Sequence, residues 1–305
     1  MMAKGGTELL QDELFEELGN NYSSVDIQCG QPRQTDRPII LWQHHSYDQP
    51  CLGYMKNLAK GDYGIHHIVF VSYWQAEMYK RVFKFTCPFS VIENSIRSIK
   101  PSKDFFQRRH SDTIKVLYAS TPFRGLNILR AALYSGELPE NMVISAAGGM
   151  GLYAQDETPE YIDLYKSIDN HPKGNWLGTL DNNSIRKHMD DYHILGYPCI
   201  WEETSCRTAI EALYHDMIVV TSGIGALPET CKGKALLYAL PDSGEEHVEM
   251  FINKLKEASS LIGDMPDMKR SLFSDYILEV HDIKNTVTKW KDIINKVSSK
   301  SWTIT

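Results

Sequence analysis

The chain contains no Asp-x-Asp, so the carboxylate pair that commonly seats Mg²⁺ or Mn²⁺ against a diphosphate is missing. Its six cysteines, at 29, 51, 87, 199, 206 and 231, form no Cys-x-x-Cys. That spacing argues against zinc ribbons and dithiol redox motifs and predicts reduced thiols. No apolar run reaches the ~18 residues of a membrane span, and Met1-Met-Ala-Lys-Gly-Gly lacks the apolar core of a secretory signal. These absences predict a soluble cytoplasmic protein in which the sequons at Asn21 and Asn182 carry no glycan. A basic surplus is also lacking. The 32 Lys and Arg stand against 39 Asp and Glu, a net charge of −7, so a nucleic-acid partner is not expected. Repeats and low-complexity tracts do not occur.

What is present is alternation. Short apolar runs at Ile39–Trp42, Ile68–Val71, Ser90–Ile92, Lys115–Ala119, Val143–Ala147, Asn175–Leu177, Cys199–Trp201, Ile218–Thr221 and Ala235–Tyr238 read as strands. Helical stretches separate them at the spacing of βαβ units, which predicts an α/β protein with parallel sheets. The polar stretch 100–114 interrupts the pattern and reads as a linker. With 42% hydrophobic residues in 305, the chain can fill two cores. The expected domains are 1–112 and 113–281, both doubly wound. A C-terminal helix within 282–305 is expected to return to the first domain.

Two glutamates carry the strongest chemical signal. Glu203 and Glu211 lie in Pro198-Cys-Ile-Trp-Glu-Glu-Thr-Ser-Cys-Arg-Thr-Ala-Ile-Glu-Ala-Leu213. The run Tyr197 to Trp201 reads as a strand, Thr204 and Ser205 as helix caps, and Ala209 to Leu213 as helix. Eight residues of helix span about 12 Å. Carboxylates accept hydrogen bonds from hydroxyls, and a helix start attracts an anion between them. Such a pair suits a nucleoside diphosphate sugar. It also suits a plain surface helix.

Asn175-Trp-Leu-Gly-Thr-Leu180 precedes this pair, and Val219-Val-Thr-Ser-Gly-Ile-Gly-Ala-Leu-Pro-Glu229 follows it. The ordered set resembles the C-terminal domain of family 4 glycosyltransferases, retaining enzymes of the GT-B fold, in a compact version. The resemblance implies two Rossmann-like domains facing across a cleft and a nucleotide-diphosphate sugar as donor. GDP-mannose is the favoured donor, on the abundance of mannosyltransferases among relatives. A glycan or glycoconjugate is the implied acceptor, and a homodimer stays open. No cofactor and no metal are expected.

Specific residues follow from the same resemblance. Glu203 would hold hexose hydroxyls, with Thr204, Ser205 and Cys206 offering backbone N–H groups, and Glu211 would hold the ribose. Gly5 and Gly6 would face the diphosphate, as would Ser120 and Thr121. Arg124, before Gly125-Leu126, would neutralise the leaving group. A second arginine common in relatives is replaced around Ala119-Ser120, with Lys4 or Arg207 as substitutes. Gly148 and Gly149 would form a turn near the donor, Leu177 and Leu180 would flank the base, and His44 or His45 would contact the hexose.

Two other motifs have plainer readings. His44-His45 and His66-His67 alternate sides on a strand, and no further ligands lie at metal spacing. Gly149-Met-Gly151-Leu-Tyr-Ala154 fits a dinucleotide fingerprint. Gln155 to Pro159 interrupts the helix that the fingerprint should open, which disfavours a dehydrogenase. An epimerase or hydrolase acting on the donor alone, and a non-catalytic binding protein, remain as alternatives.

Overall fold

The computed structural model describes residues 5–60, 64–98, 108, 110–153, 155–264 and 273–299. Two parallel sheets organise them. The first contains β1 (Asp26–Cys29), β2 (Ile39–Gln43), β3 (Ile65–Phe70) and β4 (Phe89–Val91) in that order. All five residues of β2 are buried. Ile40 and Trp42 face one core, while Leu41 faces the other, as the two-residue period of a strand requires. Helix α1 (Gly6–Leu18) covers the first face through Leu10, Leu14 and Leu18. Helix α2 (Tyr73–Phe83) and the 3₁₀ segment Pro50–Lys60 cover the second through Tyr79, Leu52 and Met55.

The second sheet contains β5 (Ile114–Ala119), β6 (Met142–Ala147), β7 (Gly174–Gly178), β8 (Ile194–Tyr197), β9 (Ile218–Ser222) and β10 (Ala235–Tyr238). Their spatial order is β10-β9-β8-β5-β6-β7, all parallel. Strand order reverses between β5 and β8, and open α/β sheets bind ligands at such a switch point, beyond the carboxyl ends of the strands. Helices α3 (Leu126–Tyr134), α4 (Pro159–Asp169), α5 (Asn182–Met189), α6 (Arg207–Tyr214), α7 (Leu227–Cys231) and α8 (Gly244–Asp264) complete this unit.

The last two helices belong to different units. Helix α9 (Ser274–His281) packs on the second through Ile277. Helix α10 (Ile283–Ser298) returns to the first, where Trp290 meets Trp42 with ring centroids 5.0 Å apart. Between them the two chain crossings pair. Ile96 N–H donates to His281 O at 2.9 Å, and Ile283 N–H donates to Ile96 O at 3.0 Å. The expected return of the C-terminal helix is therefore observed.

Two expectations are corrected and one strand is added. Cys199–Trp201 is a loop, and the strand is Ile194–Tyr197. Gly196 lets that strand pass close to its neighbours: a Cβ there would sit 2.6 Å from the Val116 side chain. Pro198 has no N–H to continue the ladder, and Cys199 N–H turns back to Tyr197 O at 2.7 Å. Strand β1 is an addition; its Asp-Ile-Gln-Cys pattern is half polar. Thr204 and Ser205 are not the caps of α6, whose N-cap is Cys206 without a side-chain bond. Most of the stretch 100–114, and Lys4, lie outside the described residues. Among the described residues no helix is long and apolar enough to cross a membrane.

Candidate functional site

A crevice of about 730 Å³ opens between the units at the switch point of the second sheet. That volume lies within the rough 300–1,000 Å³ range of small-ligand sites. One wall is the start of α1. Gly5 is its N-cap, and Gly5, Gly6 and Thr7 line the crevice, which directs the unpaired N–H groups of a first helical turn there. A Cβ on Gly5 would lie 2.6 Å from Glu8 Oε2, so Glu8 folds its carboxylate over the same helix start.

The loop after β2 contributes His44 and His45. His45 O accepts from Gln75 Nε2 at 2.8 Å and from Tyr79 Oη at 2.9 Å, which fixes the backbone. His44 is partly exposed, yet its Nε2 is buried without a hydrogen-bond partner. Burial, followed by the neighbouring His45, brings its pKa down to about 3, so His44 is a neutral imidazole. Burial also lowers His45, against an upward pull from Glu8. His44 O accepts from Thr204 Oγ1 at 3.0 Å, a bond between the units.

The opposite wall comes from the second sheet. After β5 the chain runs through Ser120 and Thr121 into the 3₁₀ turn Pro122–Arg124. Gly125, at φ +120°, passes the next loop so closely that a Cβ would sit 2.0 Å from Pro198 O. Gly148, at φ +142°, does the same after β6, with Ser120 O 1.9 Å from the Cβ position. Only glycine tolerates both the positive φ and the approach. These contacts bring the ends of β5, β6 and β8 together under the crevice.

Glu203 and Glu211 sit in the second wall, each held through one oxygen. Glu203 Oε1 accepts from Arg124 Nη1 at 2.7 Å and from Tyr197 Oη at 2.5 Å. Glu211 Oε1 accepts from Arg186 Nε and Nη2 at 3.0 and 2.9 Å, and from Arg207 Nε at 2.9 Å. Neither Oε2 takes a bond from a described group, and both glutamates line the crevice. Burial raises the Glu211 pKa, but Arg207 and Arg186 outweigh it and hold it below the usual carboxylate range. Tyr197 and the Cys206 thiol are pushed well above their usual values by burial and by Glu203, so both stay protonated.

Of the residues expected at a site, Gly5, Gly6, His44, His45, Ser120, Thr121, Arg124, Gly148, Leu180, Glu203, Thr204, Ser205, Cys206 and Glu211 meet around this one crevice. Gly149 and Leu177 are not among its lining residues. Gly149 leaves space for Glu157, whose Oε1 accepts from Met150 N–H at 2.7 Å and would crowd a Cβ at 2.6 Å. Leu177 packs on the core of the second sheet. The sequence reading missed Tyr197 and Arg186, which hold Glu203 and Glu211, and Glu13, which shares Arg186 and Arg207 with Glu211. Tyr197 was legible only as an apolar strand residue, and Glu13 and Arg186 as ordinary charges on helices.

No protein-family model and no curated protein matches the chain. Solved structures do. A glycosyltransferase from Rickettsia africae ESF-5 superposes with a TM-score of 0.70 at 18% identity, over 98% of this chain and 83% of that one. Anabaena HepE, solved with UDP-glucose, gives 0.62 at 16% identity over 85% and 72%. The pneumococcal O-GlcNAc transferase GtfA, solved with UDP and GlcNAc, gives 0.65 at 15% over 87% of this chain, which spans about half (53%) of GtfA. The chain has the GT-B fold. At these identities the likeness extends to the fold alone.

Proposed function

We propose that the chain is a retaining, family 4 type glycosyltransferase that moves a hexose from a nucleotide-diphosphate sugar to a glycan acceptor without a metal. The observation that carries the reading is the pair Glu203 and Glu211 in one crevice. Each has one oxygen clamped by arginine and the other without a partner among the described residues. In this reading Glu203 takes hexose hydroxyls and Glu211 takes ribose hydroxyls. The diphosphate lies between them, against Gly5, Gly6, Ser120, Thr121 and the backbone of Thr204 to Cys206, with Leu180 beside the base. Boundaries near 112 and 281 then separate an acceptor-side unit from a donor-side unit.

The chemistry follows from charge. As the bond from the anomeric carbon to the diphosphate breaks, negative charge grows on the leaving oxygens. The Arg124 guanidinium and the start of α1 stabilise it most at the transition state. The acceptor oxygen attacks from the face the diphosphate leaves, and its proton passes to the leaving phosphate. His44, a neutral imidazole lining the crevice, offers the hexose contact without a charge. GDP-mannose is the donor favoured by sequence resemblance, while UDP-sugars are suggested by the ligands of HepE and GtfA. Calorimetric titration with a panel of UDP- and GDP-sugars tests the reading. Binding of one donor, with turnover only when a glycan is added and the anomeric configuration kept, supports it. Turnover of the donor alone makes the protein an epimerase or hydrolase, and failure to bind any member overturns the proposal.

A further inference from the structure

Glu211 does not stand alone. The two arginines that clamp its Oε1 also reach Glu13, on the other unit. Arg207 Nη2 donates to Glu13 Oε1 at 3.0 Å and Oε2 at 2.8 Å, and Arg186 Nη2 lies 3.3 Å from Glu13 Oε1. All four side chains belong to residues less than a tenth exposed. Two carboxylates and two guanidiniums make the group neutral, which a buried charge cluster requires. Glu13 comes from α1, whose Leu10, Leu14 and Leu18 are anchored in the first unit's core. Arg186 comes from α5, and Arg207 and Glu211 from α6, both in the second unit.

We infer that Glu13 is a positioning residue for Glu211, so that the ribose end of the donor site is complete only when the two units are closed on each other. The inference rests on the assignment of Glu211 to ribose made above.

Three N–H donors converge on Glu211 Oε1 and, among the described residues, none on Oε2, so one oxygen is committed and the other available. An arginine facing a lone carboxylate prefers the bidentate fork, one nitrogen to each oxygen. Arg207 presents only Nε to Glu211, its Nη2 being directed to both oxygens of Glu13. Glu13 thereby keeps Glu211 Oε2 from being drawn into the arginines. Without the Glu13 carboxylate, two guanidiniums would face one carboxylate, the site would gain a positive charge, and both Glu211 oxygens would be recruited. The ribose would then lose its acceptor to a change on the opposite wall.

Ribose discrimination separates this role from a plain latch between the units. UDP and GDP, with their 2′-deoxy and 3′-deoxy counterparts, are titrated calorimetrically against the wild type, Glu13→Gln and Glu13→Asp, with folding checked by thermal melting. The wild type should prefer the ribonucleotide over each deoxy form by about tenfold, the scale of a hydrogen bond to a charged group. Glu13→Gln should bring that ratio near one while binding of the deoxy forms stays within about twofold. Glu13→Asp, which keeps the charge, should recover part of the preference. Glu13→Asp serves alone if Glu13→Gln does not fold, since the shortened carboxylate loosens its hold on Arg207 Nη2 and should lower the ratio part-way. A variant that melts lower yet discriminates as the wild type does would make Glu13 a latch only and overturn the inference. A wild type that binds ribo and deoxy forms alike would overturn it too, leaving the diphosphate part of the proposed site standing. A wild type that binds no nucleotide would overturn both.

Discussion

Arg124 Nη1 donates to Glu203 Oε1 at 2.7 Å, so the cation expected at the leaving group and the carboxylate expected at the sugar form one ion pair. Tyr197 Oη shares the same oxygen at 2.5 Å. Neither charge can be altered without changing the field felt by the other, and a donor seated between them would interact with a preorganised dipole rather than with two independent groups.

Arg124→Ala should therefore lower kcat more than it raises KM, because the interaction with the diphosphate strengthens toward the transition state. Arg124→Lys should recover only part of the loss, since it keeps the charge and loses the fork. The pair predicts non-additivity as well. In steady-state kinetics of Arg124→Ala, Glu203→Ala and the double variant, the coupling should be about 0.5–3 kcal/mol. Additive effects would mean that the two act separately, and a near-normal kcat in Arg124→Ala would move the leaving-group role to Arg207 or Lys4.

Glu211→Ala is expected to have two effects. Affinity for the nucleoside diphosphate should fall by about 1.5–3 kcal/mol, the range for a hydrogen bond to a charged group. Stability should fall as well, by about 3–5 kcal/mol, because Arg186 and Arg207 are left with a single buried carboxylate. Calorimetry and thermal melts measure the two separately. Unchanged affinity in a folded variant would remove the ribose from Glu211.

Transfer should persist in excess EDTA. The ground is the sequence, which has no Asp-x-Asp, together with the arginine and helix start that face the crevice. Abolition by EDTA with recovery on adding Mn²⁺ would reassign the leaving-group charge to a metal.

Acid should destabilise the protein in two windows. His44 titrates near 3 when folded and near 6.5 when unfolded, so between those values the unfolded chain binds a proton that the native state does not. Stability is thus complete above about 6.5 and is lost as pH falls through the window, by up to about 1.4 kcal/mol per pH unit for each such histidine. Burial lowers His45, His193, His215, His247 and His281 in the same sense. Glu211, held low by its arginines, adds a second loss as pH falls below its ordinary carboxylate range. Equilibrium unfolding from pH 8 to 4 should show the first slope, shallower in His44→Gln. An identical slope in that variant would exclude His44 as a contributor.

The sequence was most readable where chemistry is local. Strand runs such as Ile218–Thr221 and Val143–Ala147 recur within a residue or two of β9 and β6, because a strand buried on both faces is continuously apolar. Tyr197 to Trp201 misled for the same reason: four apolar residues around Pro198 read as a strand, while the real one contains a glycine. The crevice was legible through its turns, since glycines at 125 and 148 mark places where backbones must nearly touch. What pairs with each glutamate was not. Arg186 lies 25 residues from Glu211, and Glu13 lies 194 residues from Arg207, so no local pattern joins them. Thr204 and Ser205 have the chemistry of caps, but the Thr204 hydroxyl donates to His44 O instead, and the Ser205 main-chain O accepts from Asn94 Nδ2 at 3.1 Å.

The return of α10 bears on the order in which the molecule assembles at the ribosome. The second sheet's core draws on residues between Ile96 and Ile277, all of which precede the returning helix. The first sheet's core needs Ile283, Trp290 and Ile294 to cover Trp42. Domains generally form in the order of synthesis, N-terminal first. Here the half that emerges earliest must wait, with one apolar face covered by α1 alone, until the half made after it is already complete. Chaperones that shield nascent chains would find their longest-lived target on the face of β2 that carries Ile40 and Trp42.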